Sequence, residues 1–131
     1  MMKRAMFILY VADQQRSRDF YREVLETEPS LDVPGMTEFS LMDGSSLGLM
    51  PEKGIVNLLG PSLPDPATAN GTPRAELYLV VENAARCHQR ALECGGKEVS
   101  PMADRPWGDL AGYCLDPDGH VLAFAEPAKN N

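Results

Sequence analysis

The side chains that could do chemistry are few and scattered along the chain. There are two histidines, His88 and His120, three cysteines, Cys87, Cys94 and Cys114, and a carboxylate pair, Asp116 and Asp118. Nucleophilic catalysis needs a thiol or hydroxyl beside a base, and metal chemistry needs several donors of matched type. Neither set is evident. The chain has no phosphate-binding glycine loop, no GxSxG elbow and no cysteine with a recognisable histidine partner. Cys87 and Cys94 fall on one expected helix, about 10 Å apart at ~1.5 Å per residue, too far for a disulfide. An odd number of cysteines without a CxxC pair reads as reduced thiols, and Cys114, in an expected strand, as packing. Asp116 and Asp118 lie within Asp-Pro-Asp-Gly, where carboxylates serve turn geometry. His88 belongs to the same helix as Cys87, and His120 has the core-side parity of the strand that follows it.

These residues are carried by elements that repeat. Phe7–Val11 reads as a strand, Asp13 as a helix N-cap, and Phe20, Tyr21, Val24 and Leu25 recur with helical spacing. The same order returns in Leu77–Val81, Asn83 and the stripe Ala84, Cys87, Ala91 and Cys94, closed by Gly95-Gly96. After each helix an Asp-Gly turn precedes a strand, predicting that Thr37–Met42 pairs with Ser46–Met50 and Leu110–Leu115 with His120–Ala125. Residues 54–73 hold four of the eleven prolines and read as a linker with little regular structure, with Ile55, Val56, Leu58 and Leu59 pinned to the body. The expected organisation is one domain, 1–127, made of a βαβββ module at 1–53, the linker at 54–73 and a second module at 74–127, with a tail at 128–131.

Strand parity separates two faces. Phe7, Leu9, Val11, Leu47, Leu49, Leu77, Leu79, Val81, Leu122 and Phe124 form the expected core beneath the helices. The opposite face mixes Met6, Ile8, Tyr10, Gly48, Met50, Glu76, Tyr78 and Val80 with Val121, Ala123 and Ala125. A face of aromatic and thioether walls, opened by small residues and carrying one carboxylate, is what a ligand cavity needs.

Tyr10-Val-Ala-Asp13 leading into Arg16-Ser-Arg-Asp-Phe-Tyr21, the helix ending in Gly95-Gly96, and Tyr113-Cys-Leu-Asp-Pro-Asp-Gly119 resemble the vicinal oxygen chelate superfamily over roughly residues 4–127. That superfamily includes glyoxalase I, extradiol dioxygenases, fosfomycin-resistance enzymes and bleomycin-resistance proteins. The resemblance implies an α+β fold in which two tandem βαβββ modules form a curled mixed sheet around a cavity. It also implies metal-ligand positions at Met6, Gly48, Glu76 and Ala123, of which only Glu76 offers an oxygen donor. The expectation is therefore no metal, no cofactor and no catalytic residue. Pro106-Trp107-Gly108 resembles the loop with which metal-free bleomycin-resistance proteins hold a drug between aromatic side chains.

The formal charge of −7 argues against nucleic acid and anionic lipid, and no apolar run spans a membrane. The basic Met1–Arg4 start runs through an apolar stretch into charged residues without a cleavage site, so a cytoplasmic protein is expected. The reading is a homodimeric protein that binds a small aromatic molecule, neutral or cationic, through Met6, Tyr10, Met50, Glu76, Tyr78 and Trp107. The alternatives are a metal-dependent lyase or dioxygenase of the same superfamily, and a protein-interaction module with a vestigial cavity.

Overall fold

The computed structural model describes residues 1–129; Asn130 and Asn131, the end of the expected tail, lie outside the described residues. The first unit comprises Met1–Arg22 and Glu26–Gly71, the second Glu23–Leu25 and the residues from Thr72 on. The elements run β1 (Ala5–Val11), α1 (Gln14–Leu25), β2 (Leu31–Val33), β3 (Met36–Met42), β4 (Ser45–Pro51), α2 (Glu52–Leu59), β5 (Glu76–Val80), α3 (Ala84–Glu93), β6 (Lys97–Asp104), β7 (Asp109–Leu115) and β8 (Val121–Pro127). This is the expected α+β fold of two βαβββ modules.

Each module makes one four-stranded mixed sheet, in the orders β1-β4-β3-β2 and β5-β8-β7-β6. The last strand of each module returns parallel to the first, Phe7 opposite Leu47 and Leu77 opposite Leu122. The two hairpins have the expected pairing, and their turns need the positive φ of Gly44 and Gly119, 80° and 93°. Asp13 accepts the Arg16 N–H at 3.0 Å and Asn83 the Arg86 N–H at 3.2 Å, so both expected helix caps form. At the other end of α3, Gly96 N–H bonds Ala91 O and Gly95 N–H bonds Leu92 O, satisfying carbonyls that the helix leaves over.

Leu47, Leu49, Leu122, Phe124 and Val11 are buried on the core side, joined by Phe39 from β3. Leu77 and Leu79 lie on that side half-buried, and Val81 falls just beyond β5. Phe7 departs from expectation. It has the core parity but is 57% exposed, because β1 is an edge strand and one neighbour covers it incompletely. The linker departs too: its first part is the helix α2, which buries Ile55 and leaves Leu58 and Leu59 exposed rather than pinned. No helix among the described residues is long and apolar enough to cross a membrane.

Helix α3 lies so close to β7 that a side chain at Gly112 has no room. A Cβ there would sit 2.6 Å from Met102 Sδ and 2.8 Å from His88 Nδ1. Gly112→Ala should therefore destabilise the protein by about 1–3 kcal/mol through overpacking, measured as a lower midpoint of urea unfolding. A variant as stable as the parent would show that α3 can move off the sheet freely.

Candidate functional site

The expected site residues are brought together in two groups, one in each unit. In the first, Met6, Tyr10 and Met50 share a sheet face, with Tyr10 directly opposite Met50. Gly48 is the buried floor of this face. A Cβ on it would lie 3.2 Å from both Met6 Sδ and Ile8 Cγ1, and 3.3 Å from Met36 Sδ. Two thioethers and an isoleucine therefore converge on the space that glycine leaves. Glu38, half-buried and opposite Gly48 in the register, shares this face. Its position follows from the parity of the first hairpin, a signal that the sequence reading passed over.

In the second unit, the turn between β6 and β7 does most of the positioning. Arg105 N–H bonds Asp109 O at 2.7 Å and Gly108 N–H bonds Arg105 O at 3.0 Å, closing Arg105-Pro106-Trp107-Gly108 through the backbone. The Ala128 N–H then bonds Gly108 O at 2.9 Å, tying the turn to the residue after β8. From this turn Trp107 Nε1 donates to Tyr78 Oη at 2.7 Å, and Tyr78 Oη donates to Asp109 Oδ2 at 2.5 Å. Burial and the neighbouring Asp109 carboxylate both push the Tyr78 phenol above its ordinary pKa, so it is a neutral donor throughout the physiological range. Trp107 is 57% exposed, yet the one polar atom of its side chain is engaged. In the register Tyr78 stands opposite Ala123 and Ala123 opposite Tyr113, and the Arg105 guanidinium lies 5.1 Å from the centre of the Tyr113 ring.

Glu76 shares the face of Tyr78 but is exposed at the start of an edge strand, and neither Arg74 nor any other described group pairs with it. It is not an enclosed carboxylate. None of the six expected residues lines the open clefts of about 370, 440 and 430 Å³ that form around Gln14, Arg18 and Asp32, around Glu82, Asp104 and Glu126, and around Arg86, Gln89 and Glu93. In the first cleft Gln14 is already bonded to Val33 O and Thr37 Oγ1, and Arg18 to Asp32.

The remaining reactive groups are used structurally. Asp116 Oδ1 accepts the N–H groups of Asp118 and His120, and Oδ2 lies 2.8 Å from His120 Nδ1, so this cluster closes the second hairpin. It is the one group of three or more metal-binding side chains among the described residues, and its buried carboxylate is committed to the turn. His120 precedes β8 and lies in this turn, not in the strand as its parity suggested. His88 Nε2 lies 2.8 Å from Glu98 Oε2, and Nδ1 is buried beside Gly112 without a partner. Burial, with Asp116 and Glu98 nearby, pushes the Cys114 thiol up to about 11, which leaves it a poor nucleophile at neutral pH.

Comparison with known proteins agrees with the topology. Residues 3–124 match the family model of the Glyoxalase/Bleomycin resistance protein/Dioxygenase superfamily. The chain belongs to that superfamily. Uncharacterized proteins of Mycobacterium bovis and Mycobacterium tuberculosis are each 27% identical over 124 residues, covering 92% of this chain and 81% and 72% of their own lengths. A glyoxalase-related enzyme from Fulvimarina pelagi superposes with a TM-score of 0.81 at 25% identity, over 96% of this chain and 88% of that one. A hypothetical protein from S. aureus gives 0.78 at 21% identity, over 96% and 94%, a likeness of fold.

The superfamily's metal enzymes raise the question of a divalent ion, and the four positions that the resemblance implies do not fit one. Of the four aligned positions, Gly48 and Ala123 carry no donor, Met6 offers a soft thioether packed over Gly48, and Glu76 stands exposed and alone.

The Trp107–Tyr78–Asp109 chain has a measurable consequence. Tyr78→Phe removes the acceptor of the indole N–H and the donor to Asp109. The steady-state fluorescence anisotropy of Trp107 should fall as its side chain gains rotamers. Unchanged anisotropy would mean that packing alone fixes the indole.

Proposed function

We propose that this superfamily member binds a small aromatic molecule on the Tyr78–Tyr113 face of its second sheet, against Trp107 and Tyr78, without a metal-dependent reaction. The single observation behind this reading is the exposed indole held in place. An aromatic ring normally loses rotamer freedom when a ligand stacks on it, and here a 2.7 Å hydrogen bond has already removed that freedom. Tyr78 and Tyr113, on either side of Ala123, extend the aromatic surface across the sheet. On the first sheet, Met6 and Met50 supply adaptable thioethers beside the Tyr10 ring, an apolar face of its own. Glu76, at the open rim, would influence the approach of charged molecules more than the bound geometry.

Trp107 is the only tryptophan in the chain, so its emission reports this site alone. Titration with planar aromatic compounds in the presence of a chelator should change the emission saturably. Trp107→Ala, followed by calorimetry, should weaken binding about 2- to 12-fold, the equivalent of ~0.5–1.5 kcal/mol for an aromatic pair. Emission indifferent to every compound, or binding abolished by the chelator, would overturn the reading; the second result would favour a metal-dependent lyase or dioxygenase.

The chain is also proposed to act as a symmetric homodimer. Phe7 at 57% and Ile8 at 40% exposure put large apolar side chains on both faces of the edge strand β1, a surface that a second copy would cover. Light scattering at tens of micromolar should return twice the 14.3 kDa chain mass; a monomer mass would remove this part of the proposal.

A further inference from the structure

Arg105 is the second group that the β6–β7 turn delivers to the same face. Its Nε and Nη2 donate to Ala111 O at 3.1 and 2.8 Å, and Nη2 also reaches Pro101 O at 2.8 Å and Ser100 Oγ at 3.0 Å. These neutral acceptors immobilise a long side chain while leaving its charge uncompensated. Nη1 has no partner, and no carboxylate pairs with the guanidinium among the described residues. The contrast within the chain is plain, since Arg18 pairs with Asp19 and Asp32, and Arg22 with Asp19. Nineteen acidic side chains are available, and yet none is paired with this half-buried, immobilised arginine among the described residues. A cation partly withdrawn from water ordinarily has an anion next to it, and an orphan of this kind fits a ligand that brings one.

The geometry fixes where that anion belongs. Arg105 lies over Tyr113 and Trp107 bonds Tyr78, and these tyrosines stand on one face with a single strand between them. Two strand spacings of ~4.8 Å put them roughly 10 Å apart. Asp109, the nearest carboxylate of the turn, is at the Tyr78 end and accepts the phenol hydrogen. Negative charge on a ligand is thus repelled from the Tyr78 end and attracted to the Tyr113 end. We infer that the ligand is an aromatic anion, its ring stacked on Trp107 and a carboxylate or similar oxyanion accepting the free Nη1 hydrogens of Arg105. This inference rests on the proposed binding reading and replaces Glu76 with Arg105 as the residue that selects charge.

The test uses three probes with one ring system: 1-naphthoate, 1-naphthamide and 1-naphthylmethylammonium, titrated into the full chain by calorimetry at pH 7. The carboxylate should bind about tenfold more tightly than the amide at low salt, the margin expected of a charge-assisted hydrogen bond. The ratio should shrink in high salt. In Arg105→Gln the two should bind alike, and Arg105→Lys should keep part of the preference. If Arg105→Gln does not fold, as judged by circular dichroism, the wild-type ratio and Arg105→Lys decide. An amide as tight as the carboxylate, or an ammonium tighter than both, overturns this inference and leaves the aromatic site standing. No binding by any probe overturns both.

Discussion

Each half of the molecule depends on one constraint: the last strand of a module must slide in between the first and third, parallel to one and antiparallel to the other. A strand so placed is covered on both edges and packed on one face. Its side chains must therefore alternate between large groups that fill the core and small ones that let neighbours close over it. β8 does this with Leu122 and Phe124 against Ala123 and Ala125, and β4 with Leu47 and Leu49 against Gly48. The small residues are a packing requirement first. Their by-product is a face on which the longer side chains of flanking strands, Met6 and Met36 in one sheet, Tyr78 and Tyr113 in the other, meet over a shallow floor.

That arrangement accounts for the side chains found at the four positions where the resemblance implies metal ligands. The strands that present ligands in those enzymes present a thioether, a glycine, an alanine and one exposed carboxylate here. The bonded polar side chains of the second sheet cluster at the β6–β7 turn. Arg105, Trp107 and Asp109 are each committed to a defined neighbour, so the turn acts as a rigid unit of mixed polarity against the aromatic surface of the sheet.

Much of the fold was legible because its signals are local. The Asp-Gly turns, the Asp13 and Asn83 caps and the Gly95-Gly96 stop each act within a few residues of themselves. Repetition of the strand and helix pattern then told the modules apart. What could not be read depended on sheet position. Phe7 has the right parity for the core, but parity does not say that β1 is an edge. Glu76 was read as facing a cavity for the same reason, and it stands in solvent at the start of β5. The helix α2 was hidden because it starts directly after Pro51 at the end of a strand, in a stretch whose prolines and glycines signal a loop. In the proposed site, Tyr78 was named from residue type and parity and Trp107 from the resemblance of its loop. Arg105 and Asp109 were not, since their significance comes from partners that only folding brings near.

The closure of the β6–β7 turn bears on how such a protein diversifies. Its defining bonds, Arg105 N–H to Asp109 O and Gly108 N–H to Arg105 O, run through the main chain and are indifferent to the side chain at 107. Exchange of Trp107 for a smaller or more polar group would leave the loop conformation, the strand register and the core untouched. On the proposed reading, recognition is thus uncoupled from foldability at this position, so a single substitution here would change the ligand without needing compensating mutations elsewhere.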